Sequence, residues 1–163
     1  MAHERRILIV DDEPNIRRLL EGVLGDEGYQ TESFADAESL SARLESGPAD
    51  LVLLDVCLPG ASGTDWLREA PAGLPVVMMS GHANIDLALH AVRLGAVDFL
   101  EKPIGADRLL LSVSNALERS RLAEENAMLR RTTDGELLGD SSVMRELREA
   151  IGRIAPTPAA VLI

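Results

Sequence analysis

One Trp, one Tyr and two Phe are the only aromatic residues in a chain of 163. The core must therefore be built from Leu, Val, Ile and Ala, and a hydrophobic fraction of 46% supplies enough of them. Cys57 is the only cysteine, which excludes an internal disulfide framework. Long apolar runs are missing as well. The longest, residues 159–163, has the length of a strand and is too short to cross a bilayer. Residues 1–6 are polar and lack the apolar stretch of a secretory signal. These absences lead to the expectation of a cytoplasmic protein with no membrane partner. Positive charge is scarce too: 16 Lys and Arg against 27 Asp and Glu leave a formal charge of −11. Such a chain repels nucleic acid, and no basic cluster interrupts it. Among the cations, Lys102 is the sole lysine and all others are arginine. An ammonium is a compact charge and a guanidinium a broad planar fork, so the one retained lysine is a candidate for a role that depends on the difference. No Gly-x-x-x-x-Gly-Lys-Ser/Thr stretch occurs, so the chain holds no nucleotide-binding loop of that type.

What is present is a regular alternation. Residues 6–11 form an apolar, β-branched run that ends in acid, the pattern of a buried parallel strand. Ile16, Leu19, Leu20, Val23 and Leu24 then fall on one helical face, with Pro14 near the first turn and Gly25 and Gly28 at the close. A short strand is predicted over 29–34. Ala37, Leu40 and Leu44 mark a second helix, with Asp36 as its N-cap. Residues 50–55 repeat the first pattern, a buried strand ending in Asp55. A short helix covers 63–69, and residues 75–80 form a strand ending in Ser80. A helix over 85–94 stops at Gly95, and a strand over 97–101 runs into Lys102. A long helix starts near Ala106 and continues without a breaker to about 131. Five such alternations with continuous apolar strands predict an α/β fold, a doubly wound five-stranded parallel sheet with helices on both faces. Ligands in such sheets bind beyond the carboxyl ends of the strands.

That edge receives Asp11, Asp12 and Glu13 from the first strand, Asp55 from the third, Ser80 from the fourth and Lys102 from the fifth. Clustered acids repel one another, and a divalent cation relieves the repulsion. Oxygen-only ligands suit Mg²⁺, which takes one or two carboxylates, several waters and a substrate phosphate. A carboxylate beside such an ion can attack phosphorus, and the transferred charge then needs a cation and a hydroxyl donor. Lys102 and Ser80 supply those groups. His3, His82 and His90 have no metal-ligand spacing and read as surface residues.

Val10-Asp11-Asp12-Glu13-Pro14, Leu54-Asp55-Val-Cys-Leu-Pro59-Gly60, Met79-Ser80-Gly81 and Glu101-Lys102-Pro103 resemble the four signature stretches of response-regulator receivers. The resemblance implies a flavodoxin-like receiver fold with strand order 2-1-3-4-5. It also implies that Asp55 takes a phosphoryl group from a sensor histidine kinase. Asp11, Asp12 and Asp55 would hold Mg²⁺, with the backbone carbonyl of Cys57 completing the site. Ser80 would sense the phosphoryl group, Lys102 would pair with it, and Phe99 would occupy the aromatic switch position. Phe99 lacks a phenolic hydroxyl, Leu58 stands where methionine is commoner, and the short stretch from Trp66 to Pro75 implies a stunted third helix.

The tail carries a second resemblance. Residues 138–151 and 155–163 are similar to the entry of the AAA+ ATPase domain of sigma-54-dependent activators. This implies three parts: a receiver over 1–120, a helical linker over 121–136, and the N-terminal fragment of a sigma-54-interaction ATPase domain over 137–163. The expectation is an NtrC-type activator cut at the start of its ATPase domain, and Gly81-His82-Ala-Asn-Ile-Asp with Ala106-Asp-Arg-Leu-Leu-Leu is most similar to the NtrX branch. Sigma-54 RNA polymerase and DNA would be reached only through domains beyond this chain. Leu122, Asn126 and Leu129 fit a short apolar seam, which reads either as pairing between two chains in a homodimer or as a solvated extension. The 85–94 helix has two apolar faces, Ile85/Ala88/Leu89/Val92 and Leu87/Ala91/Leu94. One must cover the sheet, and the other is either a contact surface or packed under the next helix. Two other function classes share these ingredients. One is a Mg²⁺-dependent aspartyl-phosphate phosphohydrolase with Asp11 as nucleophile. The other is a binding module whose acid pocket is idle.

Overall fold

The structure, a computed structural model, describes residues 5–82 and 85–133. The helix and strand read from residues 143–163, and with them the ATPase fragment, lie outside the described residues.

Among the described residues, five strands and five helices alternate strictly: β1 (Arg6–Val10), α1 (Pro14–Asp26), β2 (Gln30–Phe34), α2 (Ala37–Glu45), β3 (Leu51–Asp55), α3 (Gly63–Glu69), β4 (Val76–Ser80), α4 (Ile85–Arg93), β5 (Asp98–Glu101) and α5 (Ala106–Thr133). All strand pairs are parallel, in the order β2-β1-β3-β4-β5. The expected sheet, its order and its element boundaries hold to within a residue or two.

The two-residue period of the strands divides the core into two layers. Ile7 and Ile9 of β1, Leu51 and Leu53 of β3, and Val77 and Met79 of β4 pack with Leu20 and Leu24 of α1 and Leu109, Val113, Ala116 and Leu117 of α5. Their neighbours Leu8, Val10, Val52, Leu54, Val76 and Met78 face the other way, onto Ala37, Leu40, Trp66, Leu67 and Ala91 of α2, α3 and α4. β3 and β4 are apolar at every position before their last residue because both faces are covered. Local signals set the helix ends. The Asp36 carboxylate accepts from Ser39 N at 2.7 Å, so it caps α2 as expected. Gly95 closes α4 with φ +108°, a left-handed conformation in which a Cβ would be strained.

Two helix faces depart from or refine the sequence reading. Leu19, counted with the core face of α1, is 54% exposed. The stripe that packs is Ile16, Leu20, Val23 and Leu24, and Leu19 falls at its edge. On α4, Ala91 is buried and Leu87 and Leu94 pack against the second core layer. The opposite face, Ile85, Leu89 and Val92, is exposed to solvent. α5 is fixed to the first layer by Leu109, Val113, Ala116 and Leu117, and beyond it Leu122, Met128 and Leu129 are exposed. The chain divides into two compact units after Ala123. The site lies wholly in the first.

Candidate functional site: an acid crevice at the carboxyl edge

β1 and β3 are adjacent and parallel, so their acidic ends meet. Asp11 follows β1 and has no solvent-accessible surface; Asp55 ends β3 and is also buried. Asp12 is exposed at the rim. Carboxylate oxygens of Asp11, Asp12 and Asp55 all lie within 4.8 Å of one another. Lys102 follows β5 and reaches inward between them. Its Nζ is 2.7 Å from Asp55 Oδ2, 2.8 Å from Asp11 Oδ2 and 3.7 Å from Glu13 Oε1. The Lys102–Pro103 peptide is cis, and the Lys102 amide donates to Ser80 O at 2.9 Å, tying the two strand ends together.

The remaining bonds fix orientations. Asp55 Oδ1 accepts from the Cys57 amide at 3.2 Å, and Asp11 Oδ1 from the Glu13 amide at 2.9 Å. Asp11 Oδ2 is ion-paired to Lys102 but has no well-directed hydrogen bond, so one buried acceptor is left unfilled. Burial pushes the Asp11 carboxyl above its ordinary pKa, against the pull of Lys102 and the Glu13 amide. For Lys102, burial works against the charge, but its bonds to Asp11 and Asp55 outweigh it and the pKa is raised. Three clustered acids, one unfilled buried lone pair and oxygen-only donors fit a hard divalent cation of the Mg²⁺ kind.

Of the residues expected at the site, Asp11, Asp12, Asp55 and Lys102 converge. Cys57 touches it through its amide, and its side chain is exposed. Ser80 ends the neighbouring strand, fully buried, its hydroxyl accepting from the His82 amide at 3.2 Å. Phe99 is half-buried on β5 and packs with the second core layer. Two residues at the site carried no signal in the sequence reading. Arg17 Nη1 donates to the carbonyls of Asp11 and Asp12. Gly63, at the start of α3, lies so close to β3 that a Cβ there would overlap the Asp55 carbonyl oxygen. A glycine opening a helix, where alanine is the better helix former, was the one available clue.

A five-stranded parallel sheet with acids and a lysine at its carboxyl edge defines a phosphoacceptor class, and the chain belongs to the response regulator receiver domain family, which matches residues 7–114. It is 43% identical, over its whole length, to the nitrogen assimilation regulatory protein NtrX of Azorhizobium caulinodans, and covers 37% of that protein. It is 39% identical over 98% of its length to the C4-dicarboxylate transport transcriptional regulatory protein DctD of Pseudomonas aeruginosa, again covering 37%. Among solved structures, the receiver domain of NtrX from Brucella abortus superposes with a TM-score of 0.66 at 48% identity, over 69% of this chain and 98% of that one. The chain therefore spans little more than a third of these full-length relatives. It is a receiver of the NtrX and NtrC type. Receivers are regulatory domains rather than typical enzymes, and bind Mg²⁺ at an acidic pocket of this kind. The phosphohydrolase alternative is not favoured. The family match over residues 7–114 speaks against it.

Proposed function

We propose that Asp55 is the phosphoacceptor, receiving a phosphoryl group from the phosphohistidine of a sensor histidine kinase. The observation that carries this is the placement of Lys102 Nζ at 2.7 Å from Asp55, on the buried carboxylate that ends the central strand. A carboxylate oxygen of Asp55 attacks phosphorus, an acyl–phosphate bond forms, and the bond from phosphorus to the donor nitrogen breaks. Asp11, Asp12 and Asp55, with the Cys57 carbonyl, would hold Mg²⁺, which supplies charge neutralisation for the transferring oxygens.

The acquired group brings roughly −1.5 to −2 charges at neutral pH. Lys102 then has a stronger target than the bare carboxylate, and the Ser80 hydroxyl can donate to a phosphoryl oxygen. Donation there draws the hydroxyl from the His82 amide, at the approach to α4. The exposed face of α4, Ile85, Leu89 and Val92, is the surface this shift presents differently. Phe99, on the strand beside α4, would repack with it. The output is a change in assembly, a homodimer made through α4, α5 or both, in a cytoplasmic regulator. Residues 1–120 are the receiver and 121–136 the linker. Residues 137–163 open the ATPase domain that brings sigma-54 RNA polymerase and DNA as partners of the longer protein.

Incubation with Mg²⁺ and acetyl phosphate, followed by intact mass, tests the reading. One labile phosphoryl group should appear, vanish without Mg²⁺, and be absent from Asp55→Asn. Full labelling of Asp55→Asn would overturn the assignment.

A further inference from the structure

The acid pair of the crevice sits on a loop, and loops need tethers if their carboxylates are to be ready for a ligand. Asp11 has two: its side chain accepts from the Glu13 amide and pairs with Lys102. Asp12 differs. Its side chain is exposed, and among the described residues no hydrogen bond holds it. What fixes Asp12 acts on its backbone. Arg17, half-buried in the first turn of α1, turns its guanidinium back toward β1. Its Nη1 donates to Asp11 O at 2.6 Å and Asp12 O at 3.1 Å. The Arg17 amide meanwhile bonds Glu13 O at 3.2 Å, the first helical bond of α1. One residue thus engages three successive carbonyls of the acid loop.

We infer that Arg17 is a positioning residue: it sets the direction of Asp12, and with it the cation affinity of the crevice, without touching the cation. The inference rests on the reading of Asp11, Asp12 and Asp55 as a Mg²⁺ site. Charge alone argues the opposite sign. A guanidinium close to the acid loop repels a divalent cation, so a purely electrostatic Arg17 weakens binding and its removal tightens it. A tether does the reverse. It spares the cation the ordering of a free loop, and its loss weakens binding. Removing an outer partner of a metal ligand typically lowers affinity by roughly tenfold or more.

The experiment uses the whole chain and three variants. Arg17→Met keeps the stem and removes donors and charge; Arg17→Lys keeps the charge and a nitrogen with hydrogens to share. Asp36→Ala removes the α2 cap and serves as a control for general loss of stability. Mg²⁺ is titrated against the amide shifts of Asp12 and Cys57, and amide exchange at Glu13 is followed without metal. Arg17→Met should bind Mg²⁺ about tenfold more weakly and lose protection at Glu13. Arg17→Lys should recover most of both, and Asp36→Ala should melt earlier with parental Mg²⁺ affinity. Parental or tighter binding by Arg17→Met would overturn the inference, as would equal weakening in Asp36→Ala. Were the parent itself to bind no Mg²⁺, the metal reading would fail; unchanged Glu13 exchange in Arg17→Met would then count against the tether separately.

Discussion

Two clusters of charge in this domain are built from bonds of the same length and have opposite designs. At the β2–α2 corner, Arg43 grips Glu32 with two parallel bonds of 2.7 and 2.8 Å and gives a third nitrogen to Gly47 O. Arg6 adds a second cation at 3.6 Å. The Arg43 bond holds the Glu32 carboxyl below its ordinary pKa, with both oxygens engaged. In the crevice, Lys102 serves three acids at once, one buried oxygen lacks a directed bond, and burial raises the Asp11 carboxyl. The corner is one acid matched by two cations at the surface, whereas the crevice is an acid surplus of which Asp11 and Asp55 are held out of water. A structural ion pair is complete as it stands. The crevice holds more acid than Lys102 alone can match, and under the proposed function a divalent cation would balance it.

The largest effect should come from backbone. Gly63→Ala places a methyl group onto the Asp55 carbonyl oxygen, with the Asp55 carbonyl carbon at 3.0 Å and Val56 Cα at 3.2 Å. Neither neighbour is a flexible side chain. Chemical denaturation should show a loss on the order of 3 kcal/mol, and acetyl phosphate labelling of the surviving fold should slow on the order of a hundredfold. Parental labelling would mean that the crevice tolerates as much displacement as the corner.

Exchanging the two kinds of cation comes next. Lys102→Arg keeps the charge but replaces a compact ammonium, 9% exposed and set among three carboxylates, with a planar fork. Labelling, followed by mass, should slow by about tenfold or more. Equal labelling would remove the reason for the lone lysine.

Asp11→Asn separates stability from function. A carboxyl whose pKa is raised on folding binds more protons in the native state, so its contribution to stability is present at low pH and lost as pH rises through the raised value. The amide has no such loss. In EDTA, urea midpoints of Asp11→Asn and parent should therefore diverge in favour of the variant as pH rises from 4 to 7.5. Mg²⁺ affinity of the variant should fall. A difference that stays flat with pH would mean that Asp11 burial carries no such penalty.

The smallest effect belongs to the corner. Arg43→Lys loses the paired geometry at a partly exposed site and should lower stability by no more than about 1 kcal/mol, with unchanged Mg²⁺ titration and labelling. A change in either would show that the two clusters are coupled.

The sequence alone determined the order and kind of the elements. Continuous apolar runs, helical stripes, an N-cap at Asp36 and a closing glycine at position 95 are local signals, and each is read among near neighbours. It also determined which residues reach the carboxyl edge, because in a parallel sheet the last residue of every strand goes to the same side. Tertiary structure decided the rest. Periodicity offered two faces for α4, and only packing showed that Leu87, Ala91 and Leu94 cover the sheet while Ile85, Leu89 and Val92 do not. Leu19 belonged to the right stripe by spacing and still fell outside the contact. Phe99 was placed on its strand by its motif, and only packing showed it against the second core layer. Gly63 and Arg17 act on backbone atoms of Asp55, Asp11 and Asp12, and a pattern of side-chain types carries no record of how closely one backbone approaches another. The bond from Lys102 to Asp55 spans 47 residues. Its ends could be named from the chain, but the distance that makes them a site exists only once the sheet has brought two strand ends together.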